Sequence, residues 1–285
     1  MADVKHLSQH LDRLAGARVI YTDLDGTMLG RNGSFVHTPS GDSTTEPVEA
    51  LLAAMRAGID LVPASGRALQ GLVTDARILG LSTVIAEMGA LIAYENGRTV
   101  VQNFGPTPEG GMPVEQMERT GAIAMLLERY EGSIEYHAPW HTWRQCTQLF
   151  RGLLDVDEAN ELLWSQGHDW LELHDNGRLR GAYLRLEPGR ARVYHLQPRG
   201  VTKGHAVGLD RARRGFAADG CIAIGDAVAD LELAAYVGTM VLVGDALEDD
   251  PALAARIEAM DNVLVTERPQ NLGWADTVRE AAARA

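Results

Sequence analysis

The chain has 285 residues, 46% hydrophobic and 23% charged, with a formal net charge of −13. That length provides for one large domain or two smaller ones, each with a real core, and the acidic balance argues against nucleic acid or an anionic membrane as the main partner. The two cysteines, Cys146 and Cys221, make neither a disulfide framework nor a zinc spacing, which fits a reducing cytoplasm.

The start, "MADVKHLSQHLDRL", carries charges where a signal peptide needs an apolar stretch. Acidic residues interrupt every candidate membrane span. Val4, Leu7, Leu11 and Leu14 keep helical spacing and predict an amphipathic helix ending near Gly16. "ARVIYTD" then predicts a strand buried on both faces, as in parallel sheets. A polar loop, "RNGSFVHTPSGDSTTE", leads to the helix "EPVEALLAAMRAG", with Pro47 in its first turn and Gly58 at its end. "IDLVPAS" is a second strand, "RALQGLVTDARILG" a helix and "STVIAE" a third strand. This alternation predicts an α/β fold with a Rossmann-like, doubly wound parallel sheet.

After Gly89 the pattern changes. "ALIAYENGRTVVQNF" predicts a hairpin turning at Asn96-Gly97. A long helix is predicted from about Pro113 to Tyr130, then aromatic strand material in "SIEYHAPWHTWRQCTQLF", then the helix "VDEANELLWSQG". "DWLELHDNGRLRGAYLRLEP" predicts a second hairpin, turning near Asn176-Gly177. From about Tyr194 the α/β pattern returns: the helix "GVTKGHAVGLDRARRG", strand, loop and helix in "CIAIGDAVADLELAAYVG", the strand "TMVLVGDA", the helix "DPALAARIEAM", the strand "NVLVTE" and a closing helix. The expected organisation is therefore a discontinuous core, 1–89 and 190–285, with an α+β cap inserted at 90–189.

The first strand ends in two carboxylates, Asp23 and Asp25, at the edge where open α/β sheets bind ligands. Along an extended segment both point the same way. Adjacent buried carboxylates repel, and a divalent cation relieves that repulsion. Mg2+ prefers one or two carboxylates together with water and substrate phosphate. "IAIGDAVAD" supplies Asp226 and Asp230 after another apolar strand. Ser65, Gly66 and Arg67 end the second strand with a hydroxyl, backbone amides and a cation suited to phosphate. Lys203 begins a helix, placed to neutralise a transferring phosphoryl group.

Together these segments resemble the haloacid dehalogenase superfamily of phosphatases. "DLDGT" looks like its first motif, "SGR" its second, Lys203 its third and "GDAVAD" its fourth, in the right order and spacing. The insertion resembles the large α/β cap of the Cof-type, sucrose-phosphatase and mannosyl-phosphoglycerate-phosphatase branch, and "IAEMGALIAYENG" is similar to that branch's entry into the cap. The resemblance implies that Asp23 is a nucleophile forming an aspartyl-phosphate. Asp25 would be general acid and then base. Mg2+ would be held by Asp23, the Asp25 carbonyl and Asp226, with Asp230 a ligand through water or a partner of those ligands. Ser65 and Lys203 would hold phosphoryl oxygens, beside Gly66 and Arg67, and Thr27 would brace the loop. Two positions depart from the pattern: Ala229 and Met88 stand where the family usually has asparagine.

The bland readings are a turn with two solvated acids for Asp23 and Asp25, a helix cap for Ser65, a surface lysine for Lys203 and a first-turn acid for Asp230. The concurrence of four motifs outweighs them. In the cap, His137, Trp140, His141 and Trp143 fit a sugar-binding surface or ordinary aromatic packing, and packing is the expectation. Pro139 argues against a helix that would pair His137 and His141 on a metal. Arg178, Arg180, Arg185, Arg190 and Arg192 fit a solvated hairpin better than a second anion site.

The resulting expectation is a cytoplasmic, Mg2+-dependent phosphatase of a small phosphorylated metabolite, most simply a sugar phosphate or a related acid phosphate. No nucleic-acid or membrane partner is expected, and monomer and homodimer are both open. A phosphomutase or phosphotransferase, a phosphoprotein phosphatase and a silent ligand-binding module are the alternatives. A large cap would roof the site against protein substrates.

Overall fold

The computed structural model describes residues 4–179, 190–250 and 252–285. The chain opens with two single-turn helices, Leu7–Gln9 and Leu11–Leu14, rather than the expected amphipathic helix. His10, at φ −135, interrupts the helical run, and His6 bridges Val265 instead. Leu7 and Leu14 still reach the core.

Strand β1 (Val19–Thr22) is followed by the helix Glu46–Ala57, β2 (Asp60–Pro63), the helix Leu69–Ile78 and β3 (Val84–Ala86). A hairpin of β4 (Leu91–Tyr94) and β5 (Thr99–Gln102) comes next. The following α+β stretch contributes β6 (Ile134–Tyr136), β7 (Gln148–Gly152), β8 (Leu171–Arg178) and β9 (Arg192–Pro198). The α/β pattern resumes with the helix Lys203–Arg214, β10 (Cys221–Gly225), β11 (Thr239–Leu242), β12 (Val263–Val265) and the helix Gln270–Ala282.

The main sheet has the order β12-β11-β10-β1-β2, and its pairings are parallel. Alternation sorts each strand between two cores. Ile20, Leu61, Ile222, Ile224 and Val241 face Ala50, Ala54, Trp274 and Val278 of the two helices on one side. Val19, Tyr21, Val62, Ala223 and Met240 face Ala206, Val207, Leu231 and Leu233 on the other. Burial on both faces explains the continuous apolar runs. It also aligns the carboxyl ends of β1, β2 and β10, which carry Asp23, Ser65 and Asp226.

The second unit is a four-stranded antiparallel sheet, β6-β7-β9-β8, covered by helices at Pro113–Arg119, Ala122–Arg129 and Val156–Ser165. Phe150, Tyr194, Leu196 and Leu171 pack there on Met117, Ile123, Leu126 and Leu163. The β4–β5 hairpin pairs with β3, while β9 pairs with β7 and β8.

Two local expectations need correction. The long helix after Pro113 is two helices, broken where Gly121 takes φ +81. Asn176-Gly177 does not turn a hairpin. Strand β8 runs through it, and the register with β9 slips between Asp175 and Arg178, so the pair marks a bulge. The returning strand expected in "LRGAYLRLEP", with Arg180 and Arg185, lies outside the described residues. Arg192 pairs with Asp175. Among the described residues no helix is long and apolar enough to cross a membrane.

Candidate active site

Asp23 leaves β1 with its backbone amide donating to the Ile224 carbonyl at 2.9 Å, so the loop after β1 is stitched to β10. Thr22 Oγ1 donates to the Asp23 carbonyl at 2.7 Å. Across from Asp23, the Lys203–Arg214 helix starts at Lys203 because Thr202 caps it, accepting from the His205 amide. Lys203 Nζ donates to Asp23 Oδ1 at 2.6 Å and to Asp230 Oδ1 at 2.8 Å, all three groups being buried. The second oxygen of Asp230 accepts from the amides of Asp226 and Ala227, both at 3.2 Å. Asp230 thus ties Lys203 to the loop after β10. Thr27 Oγ1 donates to Asp226 Oδ1 at 3.0 Å, fastening the two loops together.

Burial pushes the Asp23 carboxyl well above its usual range, with Lys203 opposing and Asp230 and Asp25 reinforcing. Asp226 is raised for the same first reason, then by Asp23 and Asp230. Burial works against the Lys203 charge too, but Asp23 and Asp230 hold its pKa above the ordinary value. One ammonium therefore faces two buried carboxylates, with the half-buried Asp226 beside them, and the site is short of positive charge. Asp23, Asp226 and Asp230 bring oxygens within 4.8 Å of one another. Hard oxygens converging on an electron-rich cavity fit a divalent cation such as Mg2+. Because both oxygens of Asp230 are already engaged, Asp23 and Asp226 are the better placed donors.

Gly26 has no room for a side chain. A Cβ there would lie 2.3 Å from Asp226 Oδ2, and the backbone sits at φ +95. Gly26→Ala is expected to displace Asp226, lowering stability by about 1–3 kcal/mol and losing most turnover. Thermal melts and phosphate release on the same sample check both effects.

Ser65 is buried, and its amide donates to the Ile85 carbonyl at 2.9 Å. Its Oγ accepts from the Arg67 amide at 3.2 Å. Arg67 turns to Asp25, donating from Nε to Oδ2 at 2.9 Å and from Nη2 to Oδ1 at 2.7 Å, with Nη1 on Asp75 at 2.8 Å. Asp25 itself is exposed. Ala229 lies in the short helix Val228–Ala235, between Asp226 and Asp230.

Some residues at this site carry no local sequence signal. Glu87, fully buried, accepts from the amides of Gln145, Cys146 and Thr147 at 2.8–3.2 Å. Arg144 donates to the Gly66 carbonyl at 2.5 Å and to Thr147 Oγ1 at 2.9 Å. His195 packs against Gly66, where a Cβ would meet its ring at 2.9 Å. Burial, then Arg144 and Lys203, hold His195 well below the usual imidazole range, so it is neutral. These groups seat the 137–147 loop on the "SGR" turn. The packing expectation fails for Trp140 and Trp143, which are 66% and 78% exposed, and holds for His141, which stacks on Tyr136 at 4.8 Å.

A family model of haloacid dehalogenase-like hydrolases matches residues 20–107. A phosphoglycolate phosphatase of Pyrobaculum neutrophilum is 29% identical over 267 residues, 92% of this chain and 95% of that one. One from Methanoculleus marisnigri is 28% identical over 232 residues, 80% and 85% of the two chains. The sucrose-phosphatase of Synechocystis sp. PCC6803, solved with sucrose and phosphate, shares the fold at a TM-score of 0.59 and 14% identity, covering 93% of this chain and 97% of that one. Residues 20–107 thus match haloacid dehalogenase-like hydrolases, and over most of its length the chain is similar to proteins named as phosphatases. These matches support a phosphoric monoester hydrolase, and the solved structures share its fold.

Proposed function

We propose that the protein is a Mg2+-dependent phosphatase of a small phosphorylated metabolite, working in the cytoplasm. The observation that carries this reading is the buried Lys203 bridge between Asp23 and Asp230, set beside Asp226 at the carboxyl edge of the parallel sheet. Asp23 attacks phosphorus and the ester oxygen departs, leaving an aspartyl-phosphate. Asp25 gives the leaving alcohol its proton, then takes one from the water that hydrolyses the aspartyl-phosphate. Lys203, the Ser65 hydroxyl and the Gly66 amide hold phosphoryl oxygens, and Thr27 keeps Asp226 in place. Asp23, Asp226 and the Asp25 carbonyl would hold Mg2+, whose chemistry is to neutralise charge on the transferring group.

The α+β unit is read as the cap, with edges near residues 103 and 198, a reading supported by β4 and β5 pairing with β3 and by β9 pairing with β7 and β8. Its seat on Gly66 excludes water and orders the substrate over Asp23. The relatives named as phosphoglycolate phosphatases make a small phosphorylated acid the first substrate to try, ahead of sugar phosphates. The test is phosphate release from a panel of both kinds, with Mg2+ and with chelator. Chelator is expected to remove essentially all release, and added Mg2+ to restore it and raise the melting temperature. Release that persists in chelator would overturn the metal assignment, and silence across the panel the phosphatase assignment.

A further inference from the structure

We infer that Arg67 is a positioning residue that holds Asp25 as the carboxylate that activates water, and not a ligand of the phosphoryl group. The inference rests on the proposed role of Asp25. Two parallel bonds from Nε and Nη2 occupy both Asp25 oxygens, the fork by which a guanidinium fixes the orientation of a carboxyl group. The guanidinium is in turn fixed. Nη1 is on Asp75 at 2.8 Å. The Arg67 amide donates to Ser65 Oγ, and its carbonyl accepts from the Glu87 amide at 3.0 Å. A Cβ on Gly33 would sit 3.6 Å from both Arg67 Nη2 and Asp25 Oδ1, so the loop after β1 closes over the pair.

A cation shared between two carboxylates carries no surplus positive charge, and the trio is a poor seat for a phosphate dianion. It suits the second half of the reaction. There water oxygen bonds to phosphorus, the bond from phosphorus to Asp23 breaks, and the water proton passes to Asp25. Phosphate and the Asp23 carboxylate result, and Asp25 holds the proton for the next leaving alcohol. Arg67 aims the carboxylate for that step and stabilises its charge before the proton arrives.

p-Nitrophenyl phosphate separates the two halves, because nitrophenolate departs with little need of a proton. In rapid-quench assays Arg67→Met is expected to keep a full nitrophenolate burst while steady-state turnover falls about tenfold or more. Arg67→Lys is expected to fall between, since an ammonium restores charge without the fork. Asp25→Asn is run alongside. The side chains of Arg67 and Asp25 are partly exposed, so folding of these variants is not at risk, and melts verify it. A burst rate that falls in step with steady-state turnover would make Arg67 a phosphate contact. Steady-state turnover within about twofold of wild type would make the pair an ordinary surface bridge. Either result, with Asp25→Asn losing the second step, overturns this inference alone. If Asp25→Asn keeps normal steady-state turnover, the role of Asp25 falls and the inference falls with it.

Discussion

Asp23→Asn is expected to lower turnover by about 10^4-fold or more while leaving the protein folded. The size follows from the chemistry: an amide cannot form the acyl phosphate, and the remaining donors only bind and polarise the ester. Folding survives because asparagine fills the same volume and Lys203 keeps Asp230 at 2.8 Å. The variant even sheds a cost, since burial disfavours the Asp23 charge. Its melting temperature is therefore expected at or above that of wild type. Phosphate release and acid-quench trapping of phosphoprotein read the two halves of the claim. Turnover near wild type, or trapped phosphoprotein in the variant, would move the nucleophile elsewhere.

How far the sequence reads ahead of the structure depends on range. β1, β2 and β10 are legible because burial on both faces leaves unbroken apolar runs, and the acids closing them are printed beside those runs. Lys203 is legible because Thr202 sets a helix start there. The failures are contacts between distant segments. Arg67 reads as an anion ligand, and nothing local shows that its fork reaches Asp25 across the "SGR" turn. Glu87 grips amides nearly sixty residues away, at a position where only the neighbouring Met88 drew notice. Asn176-Gly177 has the composition of a tight turn, but pairing with β9 on both sides keeps β8 going and reduces it to a bulge. The N-terminal leucines have helical spacing, yet the bridge of His6 to Val265 competes for the same backbone. Tertiary pairing overrides local preference at each of these places.

Lys203→Met is expected to damage both stability and rate. The methionine chain fills the space of the lysine stem, so the loss is one of charge rather than packing. Removing the single ammonium leaves the buried Asp23 and Asp230 without a counterion, beside the half-buried Asp226, a change worth about 3–5 kcal/mol. For a chain of this size that lowers the melting temperature by roughly 10 °C. Loss of one preorganised donor to the transferring phosphoryl group removes about 10^2–10^3-fold in turnover. The stability deficit has a sign in pH. Asp23 and Asp226 already sit above their usual range through burial, and Lys203 is a restraint on both. Without it their folded-state pKa values rise further above the unfolded ones. The folded state then holds more protons than the unfolded, so stability is present at low pH and lost as pH rises through the folded-state pKa. The deficit against wild type is therefore expected to be smaller at pH 5.5 than at pH 8. Mg2+ at pH 8 should recover part of it by replacing the missing positive charge, without recovering the lost turnover. A deficit constant across that range and blind to Mg2+ would mean that Lys203 is not the counterion of this cluster, and would remove the electrostatic basis of the site.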